Sequence, residues 1–167
     1  MNIKLESTDD IEAIEKINLE AFNGHDEGMI VSRLRSSGDL VLSLVASIDG
    51  KLVGHIAFSK MTLNNSSDNN SFVGLGPMAV TKDCQRSGIG SALVREGIKL
   101  LSDRGIKGVF VLGHPEYYPK FGFKPSQSTF GISSKYEVPD NVFMALEIEH
   151  GVFNNLNGVI NYSSAFD

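Results

Sequence analysis

Apolar positions along this chain recur with two periods, and the switches between them predict its elements. "NIKLES", residues 2–7, reads as a short first strand. Ser7 or Thr8 can then cap a helix, with Asp9, Asp10 and Glu12 favouring its positive N-terminal end. Ile11, Ile14, Ile17 or Asn18, Ala21 and Phe22 keep helical spacing, which predicts an amphipathic helix over 9–22. "HDEG" at 25–28 is a break, and Met29, Ile30 and Leu34 with flanking charges predict a second short helix ending near Ser37.

The pattern then changes to strands. "LVLSLVASIDGKLVGHIAFSKMTL" predicts two strands around a turn at Asp49-Gly50. The polar run "NNSSDNNS", 64–71, reads as a mobile loop because apolar strand-like segments resume on both sides. "FVGLGPMAV" is a fourth strand interrupted at Gly76-Pro77; proline cannot donate to a sheet ladder, so a bulge or a gap in pairing is expected there. A helix over about 88–104 follows, its buried face assigned to Ile89, Leu93, Ile98, Leu100 and Leu101, and it stops at Gly105. "GVFVLG" is a continuously apolar strand of the kind buried in a central sheet. "HPEYYPKFGF" is a short helical turn, with Pro115 acceptable at its start, and "VFMALEIE" is a late strand. The order β-α-α-β-β-β-α-β-α-β makes a mixed α/β domain, one domain across residues 1–167 with the segment 150–167 packed as an extension.

Composition narrows the class. With 41% hydrophobic and 21% charged residues the chain is an ordinary globular sequence. At 167 residues it needs no staple of metal or disulfide, since roughly 70% of the unfolded surface can be buried at this size. Cys84 is the single cysteine, so no internal disulfide forms and a reducing, cytoplasmic setting is expected. The N-terminal stretch turns acidic where a signal peptide would need an apolar core, and no apolar run approaches the ~18 residues of a membrane span. The net charge of −5, with no basic face or arm, argues against nucleic acid as the main partner.

The candidate chemistry lies in "CQRSGIGSALV", 84–94, where Gly88 and Gly90 open a helix. A P-loop needs Gly-Lys-Ser/Thr, whereas Gly90 is followed by Ser91-Ala92. A dinucleotide-binding turn needs a third glycine where Leu93 stands, and a tighter link to the strand. The general physics still applies: the first helical amides are unpaired and the dipole is positive, so glycines here let a pyrophosphate sit on the backbone.

"LGPMAVTKDCQRSGIGSALV" resembles the acetyl-coenzyme A motif of the GNAT N-acetyltransferase superfamily, Gln/Arg-x-x-Gly-x-Gly/Ala after a strand, met by Gln85, Gly88 and Gly90. "GVFVLGHPEYYPKFGF" is similar to that superfamily's next strand and short helix, and together with "GVINYSSAF" points to its YhbS-like branch. The resemblance implies a twisted, mostly antiparallel mixed sheet, splayed between strands 4 and 5 and flanked by helices. It implies acetyl-CoA as co-substrate and a small-molecule or peptide amine as acceptor. Backbone amides over Arg86, Ser87, Gly88, Ile89, Gly90 and Ser91, with Gln85, would hold the pyrophosphate, and the Ser91 hydroxyl would help. Met78, Ala79 and Val80 would run along pantetheine, the Met78 amide polarising the thioester carbonyl. Tyr118, four residues before Gly122, takes the place of the general acid; Tyr117 is expected to pack on Phe121, on a different face from Tyr118. Where many members carry Asn after the fifth strand this chain has Gly113-His114-Pro115, so contacts of that Asn do not carry over.

The remaining polar residues divide more plainly. Asp26 and Glu27, with His25, lie in the break between helices that borders the acceptor site in that superfamily, although solvated loop carboxylates would look the same. His55 reads as a satisfied sheet residue and His114 as a partner for Tyr118. Four scattered histidines without matching Cys or carboxylate spacing predict no metal site. Cys84 reads as a small loop residue, since direct transfer needs no covalent intermediate. The expected activity is therefore direct N-acetylation by a monomer or homodimer, against a rival reading as a non-catalytic acyl-CoA-binding or regulatory module.

Overall fold

A computed structural model describes residues 1–24 and 26–167. Strand β1 (Asn2–Leu5) is followed by α1 (Ile11–Phe22) and α2 (Asp26–Ser37). Then come β2 (Leu40–Ile48), β3 (Lys51–Leu63), β4 (Phe72–Val80), α3 (Ile89–Asp103) and β5 (Gly108–Leu112). The remainder holds β6 (Lys124–Pro125), α4 (Ser126–Phe130), β7 (Ile132–Ser134), β8 (Phe143–Glu147) and β9 (Gly158–Tyr162).

The main sheet runs β1-β2-β3-β4-β5-β8-β6. Every neighbour in it is antiparallel except β4 and β5, which are parallel because α3 crosses between them. The β2–β3 turn forms at the expected place: Asp49 and Gly50 both have positive φ, 49° and 78°, as a two-residue hairpin loop requires. Residues 64–71 are organised by their own side chains, Ser66 Oγ accepting from the Asp68 amide and Asp68 from the Asn70 amide, each at 3.1 Å.

Strand periodicity sorts the helices to opposite faces. Leu42, Leu44 and Ala46 of β2 point into the core beneath α3, while Val45 between them packs with Ile14 of α1 and Val31 of α2. On α3 the buried line is Ile89, Leu93, Val94 and Leu101, with Ile98 and Leu100 only half buried, because the face follows the four-residue spacing 89–93–97–101. Each fully buried Leu, Ile or Phe of these clusters contributes about 1.5–3 kcal/mol relative to exposure.

A further core lies at the far end of β3. There β9 pairs with Met61–Leu63, β7 pairs with β9, and Phe153 wedges between Phe72, Phe110 and Phe130 at ring separations of 5.8, 5.3 and 5.0 Å. The C-terminal stretch thus extends the sheet and reaches the site described next.

Candidate functional site

The sheet opens between β4 and β5. Their pairing runs from Phe72–Gly108 to Leu75–Val111 and stops. Beyond it, β4 carries an extra residue relative to β3, since Met78 faces Ile56 but Leu75 faces Phe58, which places a bulge at Gly76-Pro77. The ladder on the β3 side fixes which backbone groups stay free. Thr81 donates to the Val53 carbonyl at 2.9 Å, so alternation bonds Ala79 to His55 and turns the amides and carbonyls of Met78 and Val80 away from β3, into the opening. Gln85 marks that side by donating from Nε2 to the Val80 carbonyl at 3.0 Å.

A tight turn at Lys82–Cys84 leads to the helix start. Arg86 has φ 58° and Gly88 φ 90°, so the chain twists through the left-handed region twice before α3 begins. At φ 90° glycine is the residue without steric cost, which is a reason for Gly88 independent of any ligand. No side chain caps α3, so the first-turn amides stay free while the dipole leaves that end positive.

These elements face one cavity of about 980 Å³. Met78, Val80, Gln85, Arg86, Gly88 and Gly90 contribute to its lining, as does Ser91, and Tyr117 and Tyr118 close on it from the turn after β5. Tyr118 is 7% exposed, its ring pressed on Gly113, where a Cβ would stand 2.5 Å from Cε2. Burial, and secondarily the nearby Tyr117, pushes the Tyr118 phenol up to about 12, so it stays protonated at neutral pH.

Tyr117 packs on Phe121 with ring centroids 5.3 Å apart, as expected, yet it also meets Tyr118 edge-on at 5.0 Å and lines the same cavity. The helical-face argument that separates them does not apply, because the turn spans only Tyr118–Phe121 and Tyr117 precedes it. The Tyr117 hydroxyl lies 3.2 Å from Ser91 Oγ.

Among the other sequence candidates, Ala79, Ser87, Ile89 and Asp26 are not part of the cavity lining. Ala79 and Ile89 are buried in the sheet and under α3, and Ser87 bonds back to the Cys84 carbonyl. Asp26 is exposed at the start of α2; His25 and the side chain of Glu27 lie outside the described residues. Cys84 and His114 line the cavity, and the His114 carbonyl accepts from the Tyr117 and Tyr118 amides at 3.1 and 3.4 Å.

His55 is fully buried in a polar chain on the α1 side of the sheet. Asn18 Nδ2 donates to its Nδ1 at 3.1 Å, so the proton belongs on Nε2, 2.9 Å from Ser43 Oγ. Ser43 in turn bonds Glu6, which holds Arg35 through both carboxylate oxygens at 3.0 and 3.1 Å. Burial pushes the imidazole down to about 4, outweighing the attraction of Glu6, so His55 is neutral and structural.

Sequence reasoning missed the aromatic side chains of the C-terminal half. Tyr136, Tyr162 and Phe166 line the cavity, and β9 brings the last two there by pairing with β3. The available signal was "VINYSSAF", in which β-branched and aromatic residues mark a strand.

This arrangement, a parallel pair splayed over a glycine-started helix, is that of an acyl-CoA-dependent transferase fold. Residues 10–123 match the acetyltransferase (GNAT) family, and the chain belongs to it. It is 37% identical over 133 residues to the uncharacterized N-acetyltransferase YjhQ of Escherichia coli K12, covering 78% of this chain and 74% of that protein. The structure superposes on the GNAT N-acetyltransferase YhbS from Escherichia coli, solved with CoA, at TM-score 0.93 and 28% identity, covering 99% of this chain and 91% of that one. It is also similar to a GNAT acetyltransferase from Brucella melitensis solved with acetyl-CoA, at TM-score 0.83 and 33% identity over 99% and 97% of the two chains. The mixed, mostly antiparallel open sheet expected from the sequence is the fold these proteins share. Among the described residues no helix is long and apolar enough to cross a membrane.

Proposed function

We propose that this chain moves an acetyl group from acetyl-CoA to a primary amine by direct attack. The observation that carries this reading is the free edge of β4. Met78 and Val80 turn their backbone groups into a cavity that also receives the N-terminal amides of α3 and the Tyr118 ring. An extended pantetheine arm can bond to that edge as an added strand would. Its pyrophosphate can then rest on the amides around Gly88 to Ser91. The Met78 amide aims at the thioester carbonyl oxygen and stabilises the charge that develops there.

The step balances without a covalent enzyme intermediate. The neutral amine forms the N–C bond, the C–S bond breaks, the nitrogen loses a proton and the sulfur gains one. A free thiol has a pKa near ~8.5, so Tyr118, raised to about 12, is the weaker acid of the two. It therefore serves the departing sulfur first as a hydrogen-bond donor. Its proton passes across fully only as the nitrogen's proton replaces it, and Tyr118 ends as it began.

The test is thiol release from acetyl-CoA against a panel of amines. Release that requires an amine supports the reading. CoA binding with no amine-dependent release from any member of a broad panel overturns it, in favour of a non-catalytic acyl-CoA-binding module.

A further inference from the structure

We propose that Lys120 and Arg95 form a second phosphate seat beside the start of α3. It takes the 3′-phosphate on the coenzyme's adenosine and lets this chain distinguish CoA from 3′-dephospho-CoA. The assignment rests on the acyl-CoA reading of the cavity and goes beyond it in naming the residues that select the nucleotide end of the cofactor.

Three observations converge. The first is placement. Tyr117 ties the turn after β5 to the first turn of α3, its hydroxyl lying 3.2 Å from Ser91 Oγ. The Lys120 ammonium lies 4.0 Å from the centre of the Tyr117 ring and 5.2 Å from that of Phe121. Arg95 approaches Phe121 from α3, its guanidinium carbon 5.1 Å from the ring centre. The two rings are themselves in contact, with centroids 5.3 Å apart. Both cations therefore belong to one aromatic cluster that abuts the helix start, and Lys120 also lines the cavity.

The second is that these cations are held without being neutralised. The ion pairs among the described residues join Lys4 to Asp10, Arg35 to Glu6 and Lys135 to Asp167, and leave Arg95 and Lys120 without an acidic partner. The chain has 20 acidic residues against 15 basic ones, so carboxylates are not in short supply. Attraction to the ring faces holds two long, exposed side chains in place, which lowers the entropy lost when a ligand orders them. Two like charges drawn to one ring repel each other, and a dianion seated beside them relieves that repulsion.

The third is the chemistry of the ligand. With the diphosphate on the amides around Gly88 to Ser91, the ribose carries that diphosphate on its 5′ oxygen and a separate phosphate on its 3′ oxygen. The second anion then falls one ribose ring away from the first. Ser91 and Arg95 are four apart on α3, neighbours on one face at roughly 5–6 Å, which is about that reach. The two anions also differ in charge. Each phosphate of the diphosphate carries one negative charge, which backbone amides can hold, whereas a phosphate monoester carries about −1.5 to −2 at neutral pH and is best met by full cations.

The experiment is calorimetry with CoA and with 3′-dephospho-CoA on the parent protein, Lys120→Gln and Arg95→Gln. The parent should bind CoA at least about tenfold more tightly than dephospho-CoA. Each variant should weaken CoA roughly three- to tenfold while leaving dephospho-CoA within about twofold, so that dephospho-CoA binding also reports a folded protein. Equal affinity of the parent for the two ligands would overturn the proposal. So would variants that weaken both ligands alike, which would place the two cations on the diphosphate. Selective binding of CoA without amine-dependent thiol release would instead sink the transferase reading and leave the phosphate seat standing, whereas failure of both ligands to bind the parent would remove the seat together with the acyl-CoA reading.

Discussion

Tyr117 and Ser91 join hydroxyl to oxygen at 3.2 Å, linking the turn after β5 to the first turn of α3. The same Tyr117 oxygen stands 3.1 Å from where a Cβ on Gly90 would lie, so this side chain packs directly on the start of α3. Tyr118, its neighbour, touches β5 through Gly113 instead.

The two tyrosines should therefore fail differently. If Tyr118 is the donor to the departing sulfur, Tyr118→Phe should lower kcat by about 10²–10⁴-fold with CoA affinity little changed. Tyr117→Phe removes the bond to Ser91 and should weaken CoA roughly two- to tenfold with kcat nearly intact. Steady-state kinetics with separate CoA titrations decide it. If Tyr117→Phe shows the kcat loss, the donor is assigned to the wrong tyrosine.

Ser91 offers a test in which stability and affinity move in opposite directions. As the third residue of α3 it lies where a carboxylate favours the helix by about 0.3–1 kcal/mol, and an aspartate can still accept from Tyr117. If the pyrophosphate rests on this helix end, the same charge repels it. Ser91→Asp should keep or raise the unfolding midpoint while lowering CoA affinity at least about tenfold. Affinity unchanged in the folded variant would remove the pyrophosphate from this helix end.

The buried His55 chain predicts an acid limb in stability. Its pKa falls from an ordinary 6.5 to about 4 on folding, so the unfolded chain binds the extra proton. The contribution is complete above about pH 6.5 and is lost as pH falls toward 4, amounting to about 3 kcal/mol. Glu6, held down by Arg35 and Ser43 against its own burial, adds loss only below the ordinary carboxylate range. Urea unfolding between pH 7.5 and 5 should show the slope, and His55→Gln, less stable at pH 7.5, should flatten it. An equal slope in that variant would place the titration elsewhere.

The contrast between His55 and Tyr162 shows what the sequence made legible. Strand, loop and helix from Phe72 to Asp103 were readable because each rests on local rules: alternation, a proline that breaks pairing, glycines before an apolar helical run. His55 read correctly as a sheet residue for the same reason. Tyr162 did not, because its role depends on β9 pairing with Met61–Leu63, a contact between segments about a hundred residues apart that no local pattern encodes. Gly88 was legible as special but for an incomplete reason: its φ of 90° constrains it before any ligand arrives. A bulky substitution there would confound strain with lost binding, which is why Ser91 is the cleaner position.

The free edge of β4 gives the sharpest test, because adjacent residues face opposite ways. The Met78 amide turns into the opening and makes no bond to β3, whereas Ala79 is bonded to His55. Proline removes an amide and is tolerated in a strand where that amide is off the ladder. Met78→Pro should therefore fold, bind CoA within several-fold of the parent, and lose about 10²–10³ in kcat if that amide stabilises the oxyanion. Ala79→Pro removes a ladder bond in a central strand and should lose about 3 kcal/mol or more of stability. Unfolding curves for both variants establish the facing, and thiol-release kinetics on Met78→Pro establish the role. A folded Met78→Pro with unimpaired turnover would mean the charge is stabilised by another donor. If Ala79→Pro proves the milder variant for stability, the alternation derived from the Thr81–Val53 bond is out of register by one.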